Sequence, residues 1–356
     1  MPFNFYDTHT LLMAVEQLTP PSSFLRDRYF PTNNATDLFA TTDVLVEYRD
    51  GSKKLAPFVA PRKGGVTVLR EGYEMQRFTP PNIAPRRMLT IDDLTKRGFG
   101  EALLPTMTPE QRQRGLLLKD AQDLSERITR REEWMCAQVM LTNGCVCKHI
   151  ADDVDIEDEM EVRYYSEASN PATYTPATKW DASGAKVLAD LETMVRLLTK
   201  RGLRASDLIC APDVADVIIR NAEIVGLLDN RRYEMGNVEP TELAPGAATI
   251  ARLNVLGRII NVISYDESYT DDDGTDTPFI PSGKCVLTAP GAGRLLYGAV
   301  SQVEQNDGLM HTYTGRRVPK YLSDADRNTR SLTITSCPLP MPNNKNPFIV
   351  ADVLGE

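Results

Sequence analysis

The sequence predicts an α+β protein in which a compact sheet-and-helix unit is joined to extended segments with little core of their own. Three observations carry that expectation. One amphipathic period runs through a window of roughly 34 residues ending at Asn143-Gly144. Residues 42–80 alternate around an Asp50-Gly51 turn, the signature of a two-stranded ribbon. The second half then alternates helical windows with short apolar runs.

Residues 1–41 carry one short helical pattern at 10–18. Pro20, Pro21 and Pro31 then frame Phe24, Leu25, Arg26, Asp27, Arg28, Tyr29 and Phe30. These aromatic and basic side chains have little local sequence to pack against, so an extended arm lying on another subunit's surface is expected. Residues 42–106 hold the ribbon and its connection. Tyr48, Phe58, Val66, Val68, Tyr73 and Phe78 are its apolar anchors, and an isolated ribbon is marginal in water. Something else must cover it.

Residues 107–185 begin with the strongest local signal. Thr108 is a candidate N-cap, Pro109 suits the first helical position and Gln111 completes a capping box. Leu117, Ala121, Leu124, Ile128, Met135 and Val139 recur at spacings of three, four or seven, and Arg131 alone breaks the stripe. Arg112, Lys119, Asp123, Glu126, Arg130 and Glu132 are placed on the outer face. A helix over 108–142 would measure about 50 Å at 1.5 Å per residue, far beyond the usual soluble helix. Asn143 and Gly144 supply its stop, and Trp134 is expected to anchor it to its own sheet. An acidic strand or loop follows at 151–160.

Residues 186–318 read as the compact unit. One helix points Val187, Leu191, Met194, Val195 and Leu198 inward and ends at Gly202. A short strand precedes a helix opened by Pro212, and a further helix is followed by strands near 249–253, 258–266, 284–290 and 294–300. Residues 319–356 return to strands, expected to rejoin the unit built on the long helix.

Composition bounds the function. The hydrophobic share of 42% and charged share of 25% suit a folded chain rather than a disordered one. A net charge of -9 argues against a dedicated nucleic-acid binder. The first residues lack a positive segment and a continuous apolar core, so no signal peptide is expected, and no window is long and apolar enough for a membrane helix. The six cysteines are then expected to stay reduced, in a cytoplasmic setting.

Candidate chemistry centres on Cys145, Cys147 and His149, with Cys136 upstream. A strand would turn all three to one face, but Cys-x-Cys is tighter than a zinc knuckle and no second Cys/His cluster exists. The packing reading is preferred. Aligning Asp273-Gly274 to a calcium loop puts Tyr269 and Ile280 at ligand positions, so 271–276 reads as a hairpin tip. Gly291 and Gly293 lack the third glycine of a dinucleotide loop, and Lys284 lacks the glycines of a phosphate loop. No catalytic residue, cofactor or metal ligand is assigned. Arms, a ribbon and a beam-like helix make physical sense where neighbouring subunits complete the packing.

The order of these pieces resembles the lambda-type major capsid proteins of tailed bacteriophages, the major capsid protein E family. The resemblance rests on "FLRDRYFP", "APFVAPRKGG", "FTPPNIAPRRMLT", "RREEWMCAQVMLTNG", "NAEIVGLLDNRR", "FIPSGKCVLTAP" and the long tail beginning "RRVPKYLSDADRNTRSLTITSCPLP". It implies the Hong Kong 97-type capsid fold, with N-terminal arm, extended loop, spine helix with peripheral sheet, and axial domain. It implies self-assembly into pentamers and hexamers around double-stranded DNA, without sequence-specific binding and without a membrane. A portal, a scaffold and protease during assembly, and sometimes a decoration protein are the implied partners. The place is the virion, assembled in the host cytoplasm. The rival readings are an encapsulin-like compartment shell and, further off, an enzyme with an undetected site.

Overall fold

The computed structural model describes residues 23–48, 74–90, 109–151, 155–164, 172–228, 236–237, 241–271, 274–305, 308–324, 326 and 328–355. The helical pattern at 10–18 lies outside these residues, as do Thr108, Phe58, Val66, Val68 and Tyr73.

The first described element corrects an expectation. Residues 24–30 are not an extended arm awaiting another subunit: Phe24–Tyr29 form a short helix, α1. Phe24, Leu25, Tyr29 and Phe30 are buried in their own chain. The physical reason is long-range. Phe24 meets Tyr265 with ring centroids 5.3 Å apart, and Phe30 meets Phe348 at 5.7 Å. A Cβ on Gly293 would fall 2.4 Å from the Phe30 ring, so glycine there is what lets the ring seat.

The ribbon is described at its base. Val44–Tyr48 pairs antiparallel with Glu74–Phe78, Tyr48 opposite Glu74. Phe78, expected to be covered by another copy, is half-buried against Tyr164 of its own chain at 5.1 Å.

The long helix α2 spans Pro109–Thr142, 34 residues. Leu117, Ala121, Leu124 and Ile128 pack on Leu332 and Ile334. Those two belong to a three-stranded antiparallel sheet of Val318–Asp324, Thr329–Thr335 and Arg86–Thr90. One correction falls on this helix. Glu132, placed on the outer face, is fully buried. Trp134 is half-buried and meets Tyr269 edge-on at 6.5 Å, with the Arg131 guanidinium 5.2 Å from its ring. Tyr269 lies in a small hairpin of Ser268–Thr270 with Asp276–Pro278, so the contact is to that hairpin rather than to the three-stranded sheet. At the end of this hairpin the Gly274 N–H donates to the Asp271 carbonyl, with Gly274 at φ +78°.

Asn143 and Gly144 end the helix by different means. Asn143 takes the left-handed conformation (φ 63°) that commonly closes a helix. Gly144 already belongs to the next strand, Gly144–Ala151, which pairs with Asp155–Arg163. A Cβ there would lie 2.2 Å from the Val162 carbonyl oxygen. The glycine permits a close backbone approach rather than a turn.

The compact unit is a mixed eight-stranded sheet. Its order is Ala172–Tyr174, Ile349–Asp352, Lys284–Thr288, Asp207–Cys210, Arg258–Tyr265, Ala247–Val255 and Gly236–Asn237, with Thr241–Ala244 pairing on Ala247–Val255. Helices α3 (Val187–Lys200), α4 (Pro212–Arg220) and α5 (Ala222–Leu228) accompany it. Val187, Leu191, Met194, Val195 and Leu198 of α3 are all buried, the inward set that the spacing predicts. The last strand corrects the expected course of the tail. Ile349–Asp352 pairs with Lys284–Thr288 in this sheet instead of returning to α2. Its apolar run suits a strand buried between two neighbours.

Three substitutions separate the roles at the helix end. Gly144→Ala should destabilise by several kcal/mol, because the added methyl meets backbone that cannot turn away. Asn143→Ala should cost about 1 kcal/mol and Asn143→Gly close to nothing. Urea unfolding of the purified subunit measures all three.

Candidate functional site

Among the described residues, buried charge gathers where α1 crosses α2, and two adjacent carboxylates organise it. Glu133 is 3% exposed, and four donors converge on it. The backbone N–H groups of Leu25 and Arg26 reach it at 2.7 and 2.8 Å, the Tyr265 hydroxyl at 2.7 Å, and the Ser23 hydroxyl completes the set. The carboxylate thus satisfies N–H groups that open a helix too short to cap itself.

Glu132 is fully buried and faces the other way. Arg317 donates to it through both terminal nitrogens at 2.7 and 2.8 Å, a bidentate pair. Arg26 adds a third contact at 3.1 Å and the Tyr297 hydroxyl a fourth at 3.0 Å. Burial acting with Glu132 pushes the Tyr297 hydroxyl up, so it stays a donor. Burial alone would lower the Arg317 pKa, but the carboxylate outweighs it and the guanidinium stays charged.

Asp207, at the start of a central strand, is a further buried carboxylate that this segment engages. It accepts from Arg28 at 2.7 Å, Asn261 at 3.0 Å and the Tyr29 hydroxyl at 3.1 Å. Arg26 and Arg28, two residues apart, therefore bind different bodies: Arg26 the long helix, Arg28 the large sheet. The arm segment is a clasp across the subunit.

This cluster offers no acid–base pair aimed at a substrate, since every carboxylate is saturated with internal donors. Elsewhere, Cys145 and Cys147 sit with sulfurs 3.7 Å apart, and all six cysteines are free. The hydrogen bond with Cys147, then burial, hold the Cys145 thiol up; burial does the same at Cys136 and Cys210. Cys136, Cys145 and Cys210 are buried packing thiols. His149 lies on the same strand, opposite Asp158. Among the described residues no group of three His, Cys, Asp or Glu side chains is placed to hold a metal. A groove of about 600 Å³ opens beside the ribbon base, walled by Pro80, Arg86, Val303, Lys320 and Leu322 among others, with no carboxylate or histidine in its lining.

The sequence reading missed Glu132, Glu133, Asp207 and Arg317. A signal existed for Glu132: it stands four residues after Ile128 and three before Met135, on the apolar stripe itself. For Asp207 and Arg317, whose ion-pair partners Arg28 and Glu132 lie 179 and 185 residues away, no local signal exists.

The remaining candidates are exposed apolar side chains at the ends of hairpins. Met310 is 74% exposed and Ile259 67%, with Leu309 and Leu256 beside them. No helix among the described residues is long and apolar enough to cross a membrane.

Comparison with known proteins gives these features a frame. The sequence profile of the phage major capsid protein E family matches residues 7–353. Among solved structures, a prophage protein of Escherichia coli CFT073 described as a capsid protein is similar over 98% of this chain and 99% of its own. Its TM-score is 0.67 and its identity 16%. A phage-related protein of Bordetella bronchiseptica RB50 is similar over 97% and 96%, with TM-score 0.53 and 9% identity. No curated protein matches.

The clasp makes three measurable claims. Glu132→Ala, which strands the buried Arg317 and takes from Arg26 one of its two carboxylates, should cost about 3–5 kcal/mol in urea unfolding. Glu133→Gln, which keeps the shape but loses the charge, should cost about 1–3 kcal/mol. Burial, then the nearby Glu133 charge, raise the Glu267 carboxyl above its ordinary value. The native state then holds that proton more tightly than the unfolded chain. Stability should fall as pH rises from the ordinary carboxylate range through the raised value, and Glu267→Gln should flatten that slope.

Proposed function

This chain belongs to the phage major capsid protein E family, and we propose that it self-assembles into pentamers and hexamers of a tailed-phage head that encloses double-stranded DNA. It is a structural capsid protein of the virion, with the Hong Kong 97-type fold, and not an enzyme. The single observation that carries the proposal is the family match over residues 7–353, joined to a fold similarity that spans nearly the whole chain.

The physical account of assembly starts from heterologous contacts that close into rings of five or six. The same subunit must serve both, so the adjustable contacts belong in segments with little core of their own. We assign them to the loop of residues 42–106, with Tyr48, Phe58, Val66, Val68 and Tyr73 as its apolar contacts on neighbours. Leu45 supports this, being 57% exposed at the described base of that loop. The residues around α2 would form the peripheral part and the eight-stranded unit the axial part. Phe24, Leu25, Tyr29 and Phe30 are excluded from these contacts by their burial within the chain. The acidic balance suits a wall that must hold DNA without binding it tightly. A portal, a scaffold with its protease, and a decoration protein are the partners this role calls for.

Electron microscopy of particles from cells expressing the protein, alone and with the other head proteins, tests the proposal. Closed shells with five-fold vertices, filled with DNA when packaging proteins are present, are the expected outcome. Monomers under every condition would contradict it, and shells that enclose proteins rather than DNA would favour a compartment role. Removing residues 52–70 should leave a folded subunit, by circular dichroism, that forms no shells.

A further inference from the structure

The outer hairpin of the large sheet carries a local conflict. Val255 and Arg258 face each other across a two-residue turn of Leu256 and Gly257. Both turn residues have positive φ, 54° for Leu256 and 73° for Gly257. That is the pattern of a type I′ turn, whose first position favours Asn, Asp or Gly. Leucine in the left-handed region is strained, because its Cβ crowds the following carbonyl.

Nothing among the described residues repays that strain. Leu256 is 46% exposed, and a Cβ placed on Gly257 would meet no atom within 4 Å. Ile259, on the adjoining strand opposite Asn254, is also exposed. The tip therefore presents two apolar side chains where one asparagine would serve the fold better. An uncompensated outlier of this kind points to a contact made elsewhere.

We propose that the Leu256–Ile259 tip is a contact onto a neighbouring copy of this chain, made only on assembly. The inference rests on the shell-forming role and goes further by naming the residues. Charge favours a second copy as the occupant. Arg252 and Arg258 flank the tip, and neither takes part in an ion pair among the described residues. Each copy offers an acidic surplus, with 49 Asp and Glu against 40 Lys and Arg. An apolar tip with a cationic collar suits such a surface, the apolar pair supplying burial and the arginines orientation.

The test uses two variants of the full chain. Leu256→Asn relieves the turn while removing the apolar contact. The unassembled subunit should melt about 1–3 °C higher, while shell yield by sedimentation falls at least tenfold. Ile259→Thr keeps a β-branched residue in the strand, and should lower shell yield without the gain in melting temperature. Variants that assemble like the parent would overturn the tip contact and leave the shell-forming role standing. Normal assembly with DNA lost from the particles would overturn it too, assigning the tip to nucleic acid. A parent that forms no shells under any condition would overturn both.

Discussion

The subunit depends on two adjacent carboxylates buried in the long helix. Glu132 and Glu133 lie a few ångströms from groups contributed by residues 23–26, 265, 297 and 317. Two neighbouring negative charges in a protein interior would be prohibitive on their own. They are tolerated because each is saturated: Glu132 by two guanidinium groups and a phenol, Glu133 by two backbone N–H groups and two hydroxyls. Such an arrangement adds little net stability over an apolar core of the same shape. What it adds is register, since only one docking of α1 against α2 satisfies all the donors.

That register links the helix to the sheet. Glu133 holds the start of α1 on the long helix, while Asp207 takes Arg28 and Tyr29 from its other end. The same short segment packs Phe24 on Tyr265 and Phe30 on Phe348. The burial of these rings supplies the larger share of the energy, and the carboxylates fix where it is collected. A subunit closed in this way can present a stiff body to its neighbours and leave adjustment to hairpin tips and to the loop. The proposed assembly into rings of both five and six from one sequence would draw on that division of labour.

Much of this was legible in the sequence wherever periodicity is local. The bounds of α2, the inward face of α3, the helix opened by Pro212 and a hairpin between Thr270 and Asp276 follow from spacing, proline and glycine placement alone. What was illegible is what depends on distant partners. The segment of residues 24–30 looked like an arm because its partners, Tyr265, Gly293 and Phe348, lie hundreds of residues away. Glu132 looked like surface because a glutamate on a helix usually is, although its position four residues after Ile128 placed it on the buried stripe. The final strand looked like part of the helix unit because its destination depends on which sheet edge is open, which one strand's pattern does not encode. Cys145 and Cys147, the most conspicuous residues for chemistry, prove to be a buried and a half-buried thiol on the strand leaving the helix.

The central claim is that residues 24–30 are folded inside the subunit rather than across an interface. Amide hydrogen exchange of the unassembled protein tests it most directly. The account predicts that the amides of Leu25 and Arg26, which donate to Glu133, and of Phe30, which donates to the Arg26 carbonyl, are as protected before assembly as those of the central strand Asp207–Cys210. Rapid exchange at those amides in the free subunit, with protection gained only on shell formation, would contradict it.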